Sequence, residues 1–217
     1  MERTQHVLDL FAGLGGFSAA FEESDRWGVT TVEIEERFNP DIQADVMDLR
    51  PADLPDADVV LASPPCTVFS IANQPSPHFD GDRPTSAEAR ESIALVYHTI
   101  GLIRAINPDY WVLENPRGKL RAILGQPTGT INYCQYGYDW QKPTDLWGEH
   151  PPGFEYRTCP PGAGCHQAGE HGWDTGEKRK HFRDPAERAK VPYGVSEAIL
   201  NAVEGRCEQT TLDGVKA

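Results

Sequence analysis

Basic side chains are scarce in this sequence. Twenty Lys and Arg face 33 Asp and Glu over 217 residues, leaving a formal net charge of -13 at pH 7. A surface of that sign repels polyanions, so any contact with nucleic acid has to be confined to a local basic patch. Long apolar runs are missing as well: no stretch of about 18 apolar residues occurs, which excludes a helical membrane span. The N-terminus passes from Met1-Glu2-Arg3 straight into a strand-like segment, so no secretory leader is expected. The cysteines are few, five in all, odd in number and scattered, which argues against a secreted disulfide framework. The expectation is an intracellular, soluble protein. The length suits one α/β domain with a sizeable core plus an appended segment of a few tens of residues, and excludes two large domains.

The charge that is present is unevenly placed. Residues 22–58 are mostly acidic, whereas Lys178 to Lys190 is strongly basic, so a two-faced molecule is expected. The six lysines fit either a high-salt host or an acidic surface that merely aids solubility.

Periodicity gives the order of elements. His6 to Phe11 reads as a buried strand, Gly13 to Gly16 as a tight turn and Phe17 to Ser24 as a helix. Further strands are predicted over Val29 to Ile34, Val59 to Ala62 and Tyr110 to Leu113, each apolar enough to be covered on both faces. Ser92 to Ile106 carries apolar residues near a helical period and stops at Asn107-Pro108. Alternating strands and helices imply an α/β fold with a doubly wound, mainly parallel sheet. After Trp147 the texture turns to Gly, Pro, Cys and His until an amphipathic helix resumes over Val195 to Glu204. The expected division is a catalytic domain over 1–147, a small irregular insertion over 148–187, a C-terminal helix over 188–208 packing back on the domain, and a loose tail over 209–217.

Three loops carry chemistry-bearing residues. Asp9 to Gly16 ends a strand in glycines, which lets backbone approach a ligand at the carboxyl edge of the sheet. Glu33 closes the next strand about 20 residues later, where an acid can bind ribose hydroxyls; a nucleoside-bearing ligand suits this pair better than an empty turn. Asp45 can accept from an adenine amino group, or be an ordinary solvated acid. Ser63-Pro64-Pro65-Cys66 follows a strand, and its two prolines stiffen the loop that aims Cys66 into the cleft. Glu114-Asn115-Pro116 closes the following core strand, placing a carboxyl group opposite Cys66 in surroundings that raise its pKa.

These segments resemble a known family. LDLFAGLGGFSAAFE, SPPCTVFS and WVLENPRG stand in the order and spacing of motifs one, four and six of the cytosine carbon-5 DNA methyltransferases, over roughly residues 6–147. Amino-directed DNA methylases have an aromatic residue after the paired prolines, where this chain has Cys66. The resemblance implies a Rossmann-like fold that binds S-adenosylmethionine (SAM) and methylates carbon-5 of a flipped-out cytosine in double-stranded DNA. It makes Cys66 the nucleophile and Glu114 the residue on the cytosine ring edge, and has Asn115 order the Pro65 loop. It places the cofactor among Asp9, Phe11, Ala12, Gly13, Gly15, Gly16, Glu33, Ile34, Asp45, Val46, Pro64 and Ser196.

The chain also departs from the family pattern. Lys142 and Thr144 stand where two arginines of motif eight are expected, a Lys-Pro-Thr version that resembles short phage and prophage members. Thr67 replaces the usual Gln after the nucleophile, and Val191 to Ser196 lacks the usual Gly-Asn start of the closing motif. The target-recognition region, ordinarily a domain of its own, is reduced to about 40 residues. Within it, Cys159, Cys165, His166 and His171 form a cluster that either binds zinc or consists of ordinary loop side chains. The basic run beside the cleft is read as a phosphate contact. Three alternatives stay open: an RNA substrate, transfer of a larger group from a modified SAM, and a silent DNA-binding protein on the same fold.

Overall fold

The computed structural model describes residues 4–70, 77–160, 163–165 and 185–205. The first strand, β1 (Gln5–Leu10), alternates its side chains between two cores: Val7 packs on one face, and Leu8 and Leu10 on the other. Both faces are apolar because both are covered, as expected of a central parallel strand. Beside β1 lie β2 (Trp27–Glu33) and, at the edge, β3 (Ile42–Gln43). On its other side come β4 (Val59–Ala62) and β7 (Tyr110–Pro116), the sheet order being β3-β2-β1-β4-β7, all parallel. The order reverses between β1 and β4, so their following loops diverge and open a crevice at the carboxyl edge.

Helices cover the two faces. The short α1 (Ala19–Glu22) and α5 (Tyr193–Val203) lie against the core built on Val7, Val59, Leu61 and Val112. The long α2 (Ala87–Ile106) covers Leu8, Leu10, Val60 and Ala62 through Leu102 and Ile103, and α3 (Leu120–Leu124) joins the same side farther along. This is the doubly wound α/β arrangement read from the sequence.

Several boundaries differ from the predicted ones for local reasons. Helix α2 begins five residues earlier than Ser92, because Ser86 caps it: its hydroxyl accepts from Ala89 N at 3.1 Å. Strand β7 runs on through Glu114 and Asn115 because it gains a partner the sequence pattern does not reveal. That partner is β9 (Pro143–Glu149), which pairs antiparallel with β7 and then with β8 (Gly129–Asn132). A small hairpin of β5 (Phe79–Asp80) and β6 (Arg83–Pro84) stands apart from the main sheet. The change of texture after Trp147 does not mark a structural break. Phe154 is buried in the core of α5, Tyr156 packs against it, and the Tyr156 hydroxyl lies 2.6 Å from His150 Nδ1. The only described parts of the later insertion are 163–165 and α4 (Pro185–Ala189). His166, His171 and the tail over 209–217 lie outside the described residues.

The glycine loop after β1 is tied down from beneath. Gly13 and Gly15 have φ of +50° and +68°, a region glycine occupies without steric cost. Gly16 is constrained by space instead: a Cβ there would collide with the Val191 carbonyl oxygen just ahead of α5. Substituting Gly16→Ala is therefore expected to lower stability by roughly 1–3 kcal/mol, the usual cost of overpacking, read as a lower midpoint in urea. An unchanged midpoint would mean that Val191 and the loop separate without cost.

Candidate active site

Two clusters form at the carboxyl edge. The first gathers around the glycine loop. Phe11, just past β1, is held at φ +65°, a left-handed conformation that is uncommon for a bulky residue and concentrates at functional sites. Ser63, just past β4, fixes it by donating its hydroxyl to the Phe11 carbonyl at 3.2 Å, which ties the two diverging loops together. Glu33 at the end of β2 is oriented by backbone donors: Gly13 N reaches Oε2 at 3.0 Å and Ile34 N reaches Oε1 at 2.8 Å. Ile34 itself is 57% exposed. An exposed apolar side chain beside an oriented carboxylate offers a surface for a flat ring and an acceptor for hydroxyls at one place. A cavity of about 620 Å³ opens beside Ala12, Gly13 and Gly15, with Trp27, Phe38 and Asp41 farther out; neither Cys66 nor Glu114 lines it.

Other members of this predicted set are placed differently. Asp45 caps a single 3-10 turn, Oδ1 accepting from Met47 N at 2.9 Å. Val46 is buried in the α2-side core, so its side chain does not line the edge. Ser196 is fully buried and accepts from Ala20 N at 3.0 Å, which holds it against α1. Asp9 is likewise fully buried: Ser18 donates its hydroxyl to Oδ2 at 2.7 Å, and Oδ1 has no hydrogen-bond partner among the described residues. Burial is the main reason its pKa is raised to about 7.

The second cluster surrounds Cys66. Asn115, wholly buried in β7, donates Nδ2 to the Pro64 carbonyl at 2.9 Å and so locks the proline loop to the neighbouring strand. Glu114, one residue earlier, is buried, and Tyr133 donates its phenol to Oε1 at 2.7 Å. Desolvation raises the Glu114 pKa, opposed by Lys142 and by the Tyr133 hydrogen bond. Cys66 is partly buried, and its thiol pKa is pushed up first by desolvation and then by the Glu114 charge. Lys142 and Arg188 pull it the other way.

Lys142 has φ +23°, lies 4.4 Å from the centre of the Tyr133 ring, and donates Nζ to the Arg188 carbonyl at 2.9 Å. Thr144 is fully buried opposite Pro116 in the β7–β9 pairing, donates to the Lys142 carbonyl at 3.3 Å, and also hydrogen-bonds the side chain of Tyr133, so it stands beside the phenol that holds Glu114. Sequence reasoning missed two members. Tyr133 is 19 residues from Glu114, and no local pattern joins them. Arg188 was part of a basic run, but only α4 brings its charge to Cys66. A third buried polar unit supports β9: Arg121 holds Asp145 with two bonds of 2.5 Å.

Comparison with known proteins adds a family match. The model of the C-5 cytosine-specific DNA methylases matches residues 5–131. A Frog virus 3 (isolate Goorha) protein named "Probable DNA (cytosine-5)-methyltransferase" is 29% identical over 166 residues, covering 70% of this chain and 74% of that protein. Type II methyltransferase M.HaeII of Haemophilus aegyptius is 31% identical over 147 residues, and M.DdeI of Desulfomicrobium norvegicum is 29% identical over 168. These matches cover 60% and 71% of this chain, but only 42% and 35% of the two bacterial enzymes.

The field at Cys66 makes a specific demand on its titration. Iodoacetamide alkylation of the Cys66 peptide rises with pH through the thiol pKa, and in Lys142→Met that rise is expected at higher pH. Each pKa unit removes about tenfold in thiolate, so a several-fold slower reaction is expected at about pH 8. Coincident curves would remove Lys142 from the field at Cys66.

Proposed function

The chain belongs to the C-5 cytosine-specific DNA methylase family, and we propose that it transfers a methyl group from SAM to carbon-5 of a cytosine in duplex DNA, with Cys66 as nucleophile. The observation that carries this reading is the pairing of Cys66 with a buried, protonatable Glu114 across the loops that end β4 and β7. Cytosine carbon-5 is too weak a nucleophile to accept a methyl group unaided, and a thiol on one side with an acid on the other is what activates it.

The cofactor reading rests on fit. The oriented Glu33 carboxylate suits ribose hydroxyls, exposed Ile34 and strained Phe11 suit an adenine face, and Gly13 and Gly15 keep the loop free of side chains where a ligand's chain would pass. When bound there, SAM supplies an electrophilic methyl group on a sulfonium that leaves as the neutral thioether.

The chain's own groups account for the rest of the chemistry. Cys66 loses its proton to the solvent, aided by Lys142 and Arg188, and Sγ forms a bond to carbon-6 of a base held outside the helix. Glu114, whose pKa is raised by burial, gives its proton to ring N3, so the electron pair displaced when Sγ bonds carbon-6 collects at carbon-5. Tyr133 fixes Oε1, which leaves Oε2 as the atom that carries this proton. Once carbon-5 carries the methyl group it loses its own proton to the solvent, the Sγ–C6 bond breaks, and N3 returns its proton to Glu114. Aromaticity is restored and the thiolate is released. Lys142 and Arg188 together supply the positive field for which the family pattern has two arginines.

DNA contact then falls to the basic run Lys178 to Lys190, which includes Arg188 of α4, since the chain as a whole is acidic. The segment after β9 is the reduced recognition region on this reading. Incubation of the protein with labelled SAM and duplex DNA is expected to label cytosine at carbon-5, seen by mass spectrometry of the nucleosides. Cys66→Ala is expected to abolish it, and undiminished labelling in that variant would end the nucleophile assignment. Labelling of RNA alone would transfer the substrate class.

A further inference from the structure

Behind Tyr133, away from the reacting groups, three thiols converge. Cys134 sits in the 3-10 turn Tyr133–Tyr136, while Cys159 and Cys165 come from the segment that follows β9. Their sulfurs all lie within 4.8 Å of one another, with Cys159 to Cys165 at 3.0 Å and Cys165 to Cys134 at 3.8 Å. Neither the catalytic cluster nor the cofactor cluster uses any of them.

We propose that Cys134, Cys159 and Cys165 supply three thiolate ligands to one structural zinc ion. Ligand type and spacing support this. Tetrahedral zinc with sulfur arms of about 2.3 Å places its sulfurs roughly 3.8 Å apart, and the triad brackets that edge. The chain segments are held together independently of the sulfurs: Asn132 N donates to the Arg157 carbonyl at 3.0 Å, and Cys159 N donates to Asn132 Oδ1 at 2.9 Å. Zinc would therefore meet a largely assembled site. Gln135 directs Nε2 at Cys165 Sγ from 2.9 Å, an outer donor of the kind that stabilises a metal-bound thiolate. Buried cysteines are ordinarily small apolar fillers. Cys165 is exposed, so that role does not explain why it joins the other two. Three neighbouring thiolates repel one another unless a cation neutralises them, and a soft thiolate set selects zinc over magnesium or calcium.

The position gives the ion a purpose. It ties the start of the irregular segment to the turn that carries Tyr133, and Tyr133 holds Glu114. A short segment without a core of its own gains its rigidity from such a staple. The sequence grouping of Cys159 and Cys165 with His166 and His171 missed Cys134, which is brought in by the β8 turn from 25 residues upstream of Cys159.

The full chain without an affinity tag, purified under reducing conditions and analysed by elemental mass spectrometry, is expected to carry about one zinc. X-ray absorption at the zinc edge is expected to show three sulfurs at about 2.3 Å. Cys165→Ala alters an exposed residue and keeps the fold, and is expected to lose the ion about tenfold more readily to a chelator; Cys66→Ala is expected to retain it. Cadmium titration of the metal-stripped protein gives a second readout, a sulfur-to-cadmium absorption band saturating at one equivalent and weakened in Cys134→Ser. Absence of both zinc and the cadmium band, a first shell of nitrogen and oxygen only, or a Cys159–Cys165 disulfide in the reduced preparation would overturn the proposal.

Discussion

The bond from Asn115 Nδ2 to the Pro64 carbonyl is the constraint on which the catalytic arrangement depends. Parallel strands β4 and β7 run side by side from Val59 and Tyr110 onward, but their following loops would diverge freely without a cross-link. Pro64 and Pro65 remove most of the loop's backbone freedom, and Asn115 supplies a buried bond that fixes where the stiff piece points. Both partners are withdrawn from water, so an unmade bond there would cost the full desolvation of an amide and a carbonyl. Glu114 lies one residue from Asn115 on the same strand. Fixing the nucleophile loop to Asn115 therefore also fixes the separation of thiol and acid.

Around that link the electrostatics work in opposition. Burial raises the pKa of both Cys66 and Glu114, and a charge on either disfavours a charge on the other. Both shifts favour the uncharged forms, the thiol and the carboxylic acid. Lys142 and Arg188 bias the pair toward a thiolate, and a protonated Glu114 no longer opposes it. A chain of charge -13 can place cations at this edge because the effect is local; net charge governs long-range approach, and two side chains govern the cleft.

Much of this was legible in the sequence because the informative pieces are short and local. A strand running into glycines, a strand running into Pro-Pro-Cys and a strand running into Glu-Asn each place their residues at one edge once the sheet is parallel. Legibility failed where partners are distant in the chain. Tyr133 meets Glu114 and Cys134 meets Cys159 through the β8–β9 hairpin and its turn, which carries no strong alternation of its own, and Arg188 reaches Cys66 from α4. Two residues that a family motif suggested for the cofactor also have packing roles that the sequence did not reveal: Ser196 accepts from Ala20 N beneath α1, and the smallness of Gly16 makes room for Val191.

The central claim is a covalent bond between Cys66 and carbon-6 of cytosine, and it can be observed directly. Fluorine at carbon-5 leaves no proton to be lost there, so an adduct formed and methylated on such a base has no route to release. Incubating the protein with SAM and a duplex containing 5-fluorocytosine, then digesting and sequencing by mass spectrometry, is predicted to find the methylated fluorocytosine on the peptide containing Cys66. A duplex that turns over ordinary cytosine yet gives no fluorocytosine adduct, or an adduct on another residue, would contradict the account.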